Sequence, residues 1–190
     1  MPRNVEIKAR VDDLPALALR VAALATQGPT PIAQDDSFFH CATGRLKLRE
    51  FSEFDGELIF YQRVNSAGPK ESFYVRSPTT SPATLREALV LSNGLLGRVV
   101  KQRTLYIVGR TRVHLDEVAG LGTFMELEVV LRDEESAEVG AAEAQALMTA
   151  LDIAAPDLVQ GAYLDLLTNQ VTRSEKVLAH PQNDHSQTVA

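Results

Sequence analysis

The feature that most constrains the fold of this chain is a period-two alternation of polar and apolar residues. Between Asn4 and Val11, the odd positions are apolar and the even positions polar. Because successive side chains of a strand point to opposite faces, this period is typical of β-strands with two chemically different faces. The same test, with enrichment in β-branched and aromatic residues, predicts about eight strands. They are residues 4–11, 37–41, 45–49, 57–63, 72–76, 99–108, 111–116 and 124–131.

Helical spacing separates some of these strands. The predicted helices are residues 14–26, 84–92, 136–151 and 157–167. Short connections between 45–49 and 57–63, and between 103–108 and 111–116, favour antiparallel hairpins. We therefore predict an α+β fold, a closed antiparallel eight-stranded β-barrel with helices packed outside. Residues 1–167 form the predicted domain, and residues 168–190, which lack apolar periodicity, are expected to be a flexible tail.

Composition narrows the classes of function. The chain of 190 residues has a formal net charge of −6, which argues against non-specific nucleic-acid binding. No run approaches the roughly 20 apolar residues that span a bilayer, and the first residues lack the apolar core of a signal peptide. A single cysteine, Cys41, excludes an internal disulfide and a cysteine metal cluster. We expect a cytoplasmic protein without nucleic-acid or membrane partners, either a monomer or a homodimer.

The polar strand faces carry an unusual concentration of charge. The bases are Lys8, Arg10, Arg45, Lys47, Arg49, Arg63, Lys101, Arg103 and Arg112, and the acids are Glu6, Asp116, Glu126 and Glu128, with Glu57 as a further candidate. Arg and Lys donate to phosphate oxygens, and paired carboxylates suit Mg²⁺ or Mn²⁺. Together they suit a polyphosphate chelated to a divalent cation. The alternative is an ordinary solvated sheet face, against which the like charges at 45, 47 and 49 argue.

The same residues carry a family resemblance. Val5-Glu6-Ile7-Lys8 resembles the signature strand of the CYTH superfamily, usually Glu-x-Glu-x-Lys, with Asn4 in place of the first glutamate. That superfamily includes class IV adenylyl cyclases, thiamine triphosphatases and inorganic triphosphatases, and its fold is a tunnel formed by a closed antiparallel barrel. Segments 101–109, 116–128 and 161–167 are similar to the class IV cyclase branch in particular. The resemblance spans about residues 3 to 167.

The resemblance implies a role for individual residues. Glu6, Glu126 and Glu128 would hold divalent metal, with Asp116 in or near the same cluster. Contacts to the triphosphate are implied for Lys8, Arg45, Lys47, Arg63, Lys101, Arg103 and Arg112. Among these, Lys8, Lys101 and Arg103 are the implied catalytic residues. Arg10 and Arg49 lie at strand ends, Tyr163 matches a position on the closing helix, and His114 falls on the predicted lumen face.

Two chemistries remain open from the sequence. A class IV adenylyl-cyclase-like enzyme would convert ATP to cyclic AMP and pyrophosphate with Mg²⁺ or Mn²⁺. A triphosphatase would hydrolyse a small-molecule triphosphate such as tripolyphosphate or thiamine triphosphate. Because Asn4 offers a neutral oxygen where the family has a carboxylate, a non-catalytic polyphosphate- or nucleotide-binding module is a third hypothesis.

Overall fold

The computed structural model describes residues 3–63 and 68–179. The strands in this part of the chain are β1 (Arg3–Arg10), β2 (Gln27–Phe39), β3 (Arg45–Ser52), β4 (Asp55–Arg63), β5 (Lys70–Thr79), β6 (Leu95–Val108), β7 (Thr111–Val118) and β8 (Gly122–Val130). The helices are α1 (Leu14–Leu24), α2 (Pro82–Asn93), α3 (Ala137–Ala150) and α4 (Tyr163–Ala179), with a short 3₁₀ turn at Ala155–Asp157.

The strands form a closed antiparallel barrel, as predicted. Their order around the ring is β1-β5-β4-β3-β2-β6-β7-β8, and β8 pairs with β1 to close it. Hairpins connect β3 to β4, β6 to β7 and β7 to β8. Helices occupy the outside of this ring, so the fold class expected from the alternating pattern is confirmed.

The apolar strand faces pack outward against helices. Val5 and Ile7 of β1 and Leu127 of β8 are buried in a cluster that also contains Leu17 of α1 and Met148 of α3. Helix α3 lies very close to the barrel at Gly140. A Cβ at this position would lie only 2.7 Å from Leu131 and 2.8 Å from Val5, so glycine is required for this packing. This outer packing turns the polar residues of the same strands toward the barrel interior.

One sequence prediction near the carboxyl end is wrong. The helix expected over 157–167 begins at residue 163, because residues 158–159 lie against β1: Leu158 bridges Ala9, and Val159 N donates to Lys8 O. Gly161, with φ of +82°, makes the turn into α4. The expected tail from residue 168 is helical as far as residue 179, with residues 168–172 exposed, and residues 180–190 lie outside the described residues.

Strands β2 and β6 are both longer than predicted and begin earlier, at residues 27 and 95. No helix within the described ranges is long and apolar enough to cross a membrane.

Candidate functional site

A cavity of about 340 Å³ occupies the barrel interior, and we call it the central cavity. Its lining is strongly charged and comes from every strand. The charged and histidine side chains that line it are Glu6, Lys8, Asp36, Lys47, Arg49, Glu57, Arg63, Arg76, Lys101, Arg103, Arg112, His114, Glu126 and Glu128. The predicted concentration of charge in the lumen is therefore present.

Register places the acidic residues side by side. Glu6 of β1 lies opposite Glu128 of β8, and His114 of β7 lies opposite Glu126. His114, Glu126 and Glu128 each offer a ligand atom within 4.8 Å of the others, a spacing that a metal ion could bridge. Carboxylate oxygens are the ligands that Mg²⁺ and Mn²⁺ prefer, so the two glutamates fit such an ion. An imidazole nitrogen suits softer transition metals better than Mg²⁺.

Each of these carboxylates also contacts a cation. Lys8 Nζ lies 2.7 Å from Glu126 Oε1, and Arg103 contacts the other oxygen of Glu126. Arg112 Nε donates to Glu128 at 2.9 Å, and Arg63 pairs with Glu6. Burial opposes ionisation of Glu126, but the charges of Lys8 and Arg103 outweigh it and hold its pKa well below the usual range. The acid is therefore ionised at neutral pH.

His114 is the neutral member of the acidic group. Burial, with the positive charge of Arg103 as the next cause, lowers its pKa to about 3. Its buried Nδ1 has no hydrogen-bond partner among the described residues and lies 3.7 Å from Glu128 Oε1. A neutral imidazole nitrogen with no partner is able to act as a ligand atom. The predicted lumen position of His114 is thus observed.

Asp116 lies behind the cavity wall rather than on it. It is fully buried, and it accepts two hydrogen bonds of 2.6 Å from Arg103 and one of 2.8 Å from the Tyr163 hydroxyl. Lys101 Nζ lies 3.4 Å away. These donors occupy its oxygens, so the contacts support a role in holding Arg103 in place rather than the metal role implied earlier.

Tyr163 connects α4 to this cluster. Its ring packs over Lys8, with Nζ 3.6 Å from the centroid, and lies 5.1 Å from Lys101 Nζ. Burial, together with the negative charges of Glu126 and Asp116, raises the pKa of its hydroxyl well above the usual range, so the hydroxyl remains a donor. The first turn of α4 therefore positions side chains that the sequence placed in the lumen.

One predicted phosphate contact, Arg45, and one of the two strand-end cations, Arg10, lie outside the central cavity. Arg45 leaves it because Asp165, on α4, accepts from both ends of its guanidinium at 3.0 and 2.7 Å. Arg10 is exposed, donates to Leu121 O and packs over the Phe124 ring. By contrast, Arg49 and the remaining predicted cations, Lys8, Lys47, Arg63, Lys101, Arg103 and Arg112, all line the cavity.

Asp36 is the main charged residue that the sequence prediction missed. It lies on β2 among the lining residues, and both Lys47 and Arg49 contact its carboxylate. Asn4, also a lining residue, is almost fully buried, and its Oδ1 has no hydrogen-bond partner among the described residues. The inward placement of Asn4 expected from its signature position is thus observed.

Part of the lining is apolar. Ile32, Phe51, Ile59 and Leu105 face the cavity together with Tyr74, whose hydroxyl accepts a weak contact of 3.4 Å from Arg112. Apolar and aromatic side chains offer no donors to phosphate oxygens, but they suit the organic part of a ligand. The central cavity therefore combines an ionic lining with an apolar one.

The structure is thus a closed antiparallel barrel in which cations and carboxylates converge to line an internal tunnel. The chain belongs to the CYTH domain family, whose model matches residues 2–163. Among curated proteins, it is 26% identical over 185 residues to the adenylate cyclase CyaB of Aeromonas hydrophila, covering 92% of this chain and 94% of that protein.

Solved structures show the same fold. A Pyrococcus horikoshii protein matches with a TM-score of 0.76 and 19% identity, covering 86% of this chain and 99% of the other. HpAC1 of Hippeastrum, an adenylyl cyclase candidate described as having a dominant triphosphatase activity, matches with a TM-score of 0.64 and 17% identity. That alignment covers 88% of this chain and 96% of HpAC1. The resemblance inferred from the signature strand is confirmed.

Proposed function

We propose that this protein is a divalent-metal-dependent enzyme that binds a small-molecule triphosphate in the central cavity. The observation that carries the proposal is the convergence of Lys8, Lys101, Arg103 and Arg112 with the carboxylates Glu6, Glu126 and Glu128 in one cavity. A pure anion site would not need the carboxylates, and a pure cation site would not need the bases. A metal–polyphosphate complex suits both.

Glu6, Glu126 and Glu128, with His114, are the residues that would hold the metal. When bound, a divalent cation would offset phosphate charge and orient the phosphorus that is attacked. The carboxylates are now neutralised by Lys8, Arg63, Arg103 and Arg112. With the carboxylates engaged as metal ligands, these four cations would be available to donate to phosphate oxygens.

The cations serve the reaction by stabilising negative charge. Charge moves onto the leaving phosphate as its bond breaks, so donors fixed around it stabilise the transition state more than the ground state. Arg103 is well suited, because Asp116 fixes its guanidinium through two hydrogen bonds of 2.6 Å. Lys101 is next to it, and burial with the charge of Arg103 lowers its pKa to about 7.

Adenylyl cyclase is the first candidate activity. In that reaction the ribose 3′-hydroxyl of ATP attacks the α-phosphorus and pyrophosphate leaves. The full-length similarity to CyaB favours it. So does the apolar lining at Ile32, Phe51 and Leu105, which offers contacts to a nucleoside that inorganic tripolyphosphate does not need.

Triphosphatase is the second candidate, favoured by the dominant activity described for HpAC1. Incubating the purified protein with ATP, tripolyphosphate or thiamine triphosphate, each with Mg²⁺ or Mn²⁺, distinguishes the two. Formation of cyclic AMP and pyrophosphate supports the cyclase, and orthophosphate release without cyclic AMP supports the hydrolase. Tight binding with no turnover under either metal would support the non-catalytic module instead. Absence of both binding and turnover for all three compounds would refute the proposal.

A further inference from the structure

Asp36 is a buried carboxylate in a cavity built to receive an anion. Only 2% of the residue is exposed, and it lies on the lumen side of β2, opposite Arg49 in the register with β3. A negative charge at this place would repel a triphosphate. Its presence therefore requires an explanation other than direct contact with phosphate.

The contacts of Asp36 supply that explanation. Arg49 donates from Nε to Oδ1 at 2.7 Å and from Nη2 to Oδ2 at 2.8 Å, and Lys47 Nζ donates to Oδ2 at 2.8 Å. This arrangement uses two of the five donors of Arg49 and one of the three of Lys47. Both cations line the central cavity, so further donors are available to a ligand there.

We infer that Asp36 is a positioning residue for triphosphate binding, which holds Lys47 and Arg49 in the geometry that presents their remaining donors to the phosphate chain. The inference rests on the proposed function and extends it to a residue on β2. The three side chains together keep a net charge of +1, so the group still attracts an anion. Three close donors occupy the carboxylate, which argues against Asp36 as a metal ligand.

Electrostatics gives a second reason for the carboxylate. Lys47 and Arg49 are like charges on one strand face, and they repel each other in a poorly solvated interior. Burial and Arg49 lower the pKa of Lys47 to about 8, while Asp36 acts in the opposite direction. Without Asp36, Lys47 would lose both a hydrogen-bond acceptor and the charge that favours its protonated form.

The test measures tripolyphosphate binding and turnover in wild type, Asp36→Asn and a matched control, Asp35→Asn. Asp35 is the neighbouring residue on β2 and pairs with Arg98, whose side chain is 53% exposed, so it belongs to the outer face. We expect Asp36→Asn to raise Kd and KM about tenfold or more, because contacts to charged groups that depend on orientation are weakened. Asp35→Asn should change both by less than about twofold.

Three outcomes separate this role from others. The Mg²⁺ concentration for half-maximal turnover should be unchanged in Asp36→Asn, and a rise of tenfold would overturn the inference in favour of a metal ligand. The inference would also be overturned if KM and Kd of Asp36→Asn were the same as those of wild type. Failure of wild type itself to bind or turn over any triphosphate would refute the proposed function, and with it this inference.

A second comparison keeps the inference testable if Asp36→Asn does not fold. In a Lys47→Met/Arg49→Met background, Asp36 has neither cation to position, and its own charge is no longer paired. Adding Asp36→Asn there should leave tripolyphosphate affinity within about twofold or improve it, since only repulsion is removed. A further tenfold loss of affinity in the triple variant would show that Asp36 acts directly on the ligand and would overturn the inference.

Discussion

Replacing Glu126 by glutamine tests the acidic side of the central cavity. The change keeps the shape of the side chain but removes the charge that Lys8 contacts at 2.7 Å and that Arg103 also contacts. Removal of one partner from a buried ion pair costs about 3–5 kcal/mol. Arg103 retains Asp116, and Lys8 retains the Tyr163 ring at 3.6 Å, so we expect a smaller loss of stability. We expect the free energy of unfolding to fall by about 2–3 kcal/mol, which corresponds to a decrease of roughly 5–10 °C in Tm for a chain of this size.

Turnover should respond far more than stability. If Glu126 holds the metal, Glu126→Gln should lower kcat with Mg²⁺ by about a hundredfold or more, as loss of a residue that stabilises the transition state does. Without metal, affinity for tripolyphosphate should rise, because a negative charge has been removed from the cavity. Thermal unfolding, steady-state kinetics and calorimetric titration without metal measure the three effects.

Glu128→Gln is the matched variant. Its partner Arg112 is 28% exposed at the side chain, so the stability loss should be nearer about 1 kcal/mol. The loss of turnover should nevertheless be as large as for Glu126→Gln. If both variants keep turnover within a few-fold of wild type, the carboxylates are only ion-pair partners of the cations, and the metal assignment is refuted.

Three further predictions concern Asn4, Lys47 and the segment after Leu167. Asn4→Glu adds a carboxylate beside Glu6, so the Mg²⁺ concentration for half-maximal turnover should fall; superimposable titration curves would contradict this. Between pH 7 and 9, Lys47 loses its proton in the folded protein, since its pKa is about 8. Lys47→Arg stays protonated, so its tripolyphosphate affinity should fall less than that of wild type between pH 7 and 9. Parallel plots of affinity against pH for the two proteins would contradict this prediction. Truncation after Leu167 removes residues of which 168–172 are exposed, so Tm should change by less than about 2 °C; a larger fall would show that this segment stabilises the barrel.

The lumen face was predictable from sequence because the side-chain period of a strand is two. Once Val5 and Ile7 pack outward, Asn4, Glu6 and Lys8 must point inward. The same rule failed to find Asp36, because the strand was predicted to start at Ser37, and the sequence before it contains Pro and Gly. Extending the alternation backwards from Phe38 would have placed Asp36 on the inner face.

The contacts of Arg45 and Asp116 were not predictable, for a different physical reason. Alternation specifies the face of a strand, but not where a long side chain ends or which neighbour covers it. Arg45 is drawn away by Asp165 on α4, and Asp116 is covered by Arg103 and Tyr163. Both outcomes depend on where the closing helix docks, which no local pattern encodes. Metal and phosphate roles for the residues that do line the cavity stay predictions.

Ring closure between β1 and β8 has a consequence for how the chain acquires its site during synthesis. Asn4 pairs with Val130, and Lys8 pairs with Glu126, so β1 can complete the ring only after β8 has been synthesised. Until then, the cations and carboxylates of the future cavity are solvated and far apart. Long-range strand pairing slows folding. We therefore expect a slow final step in which β1 pairs with β8 and the ion pairs of the cavity form at the same time.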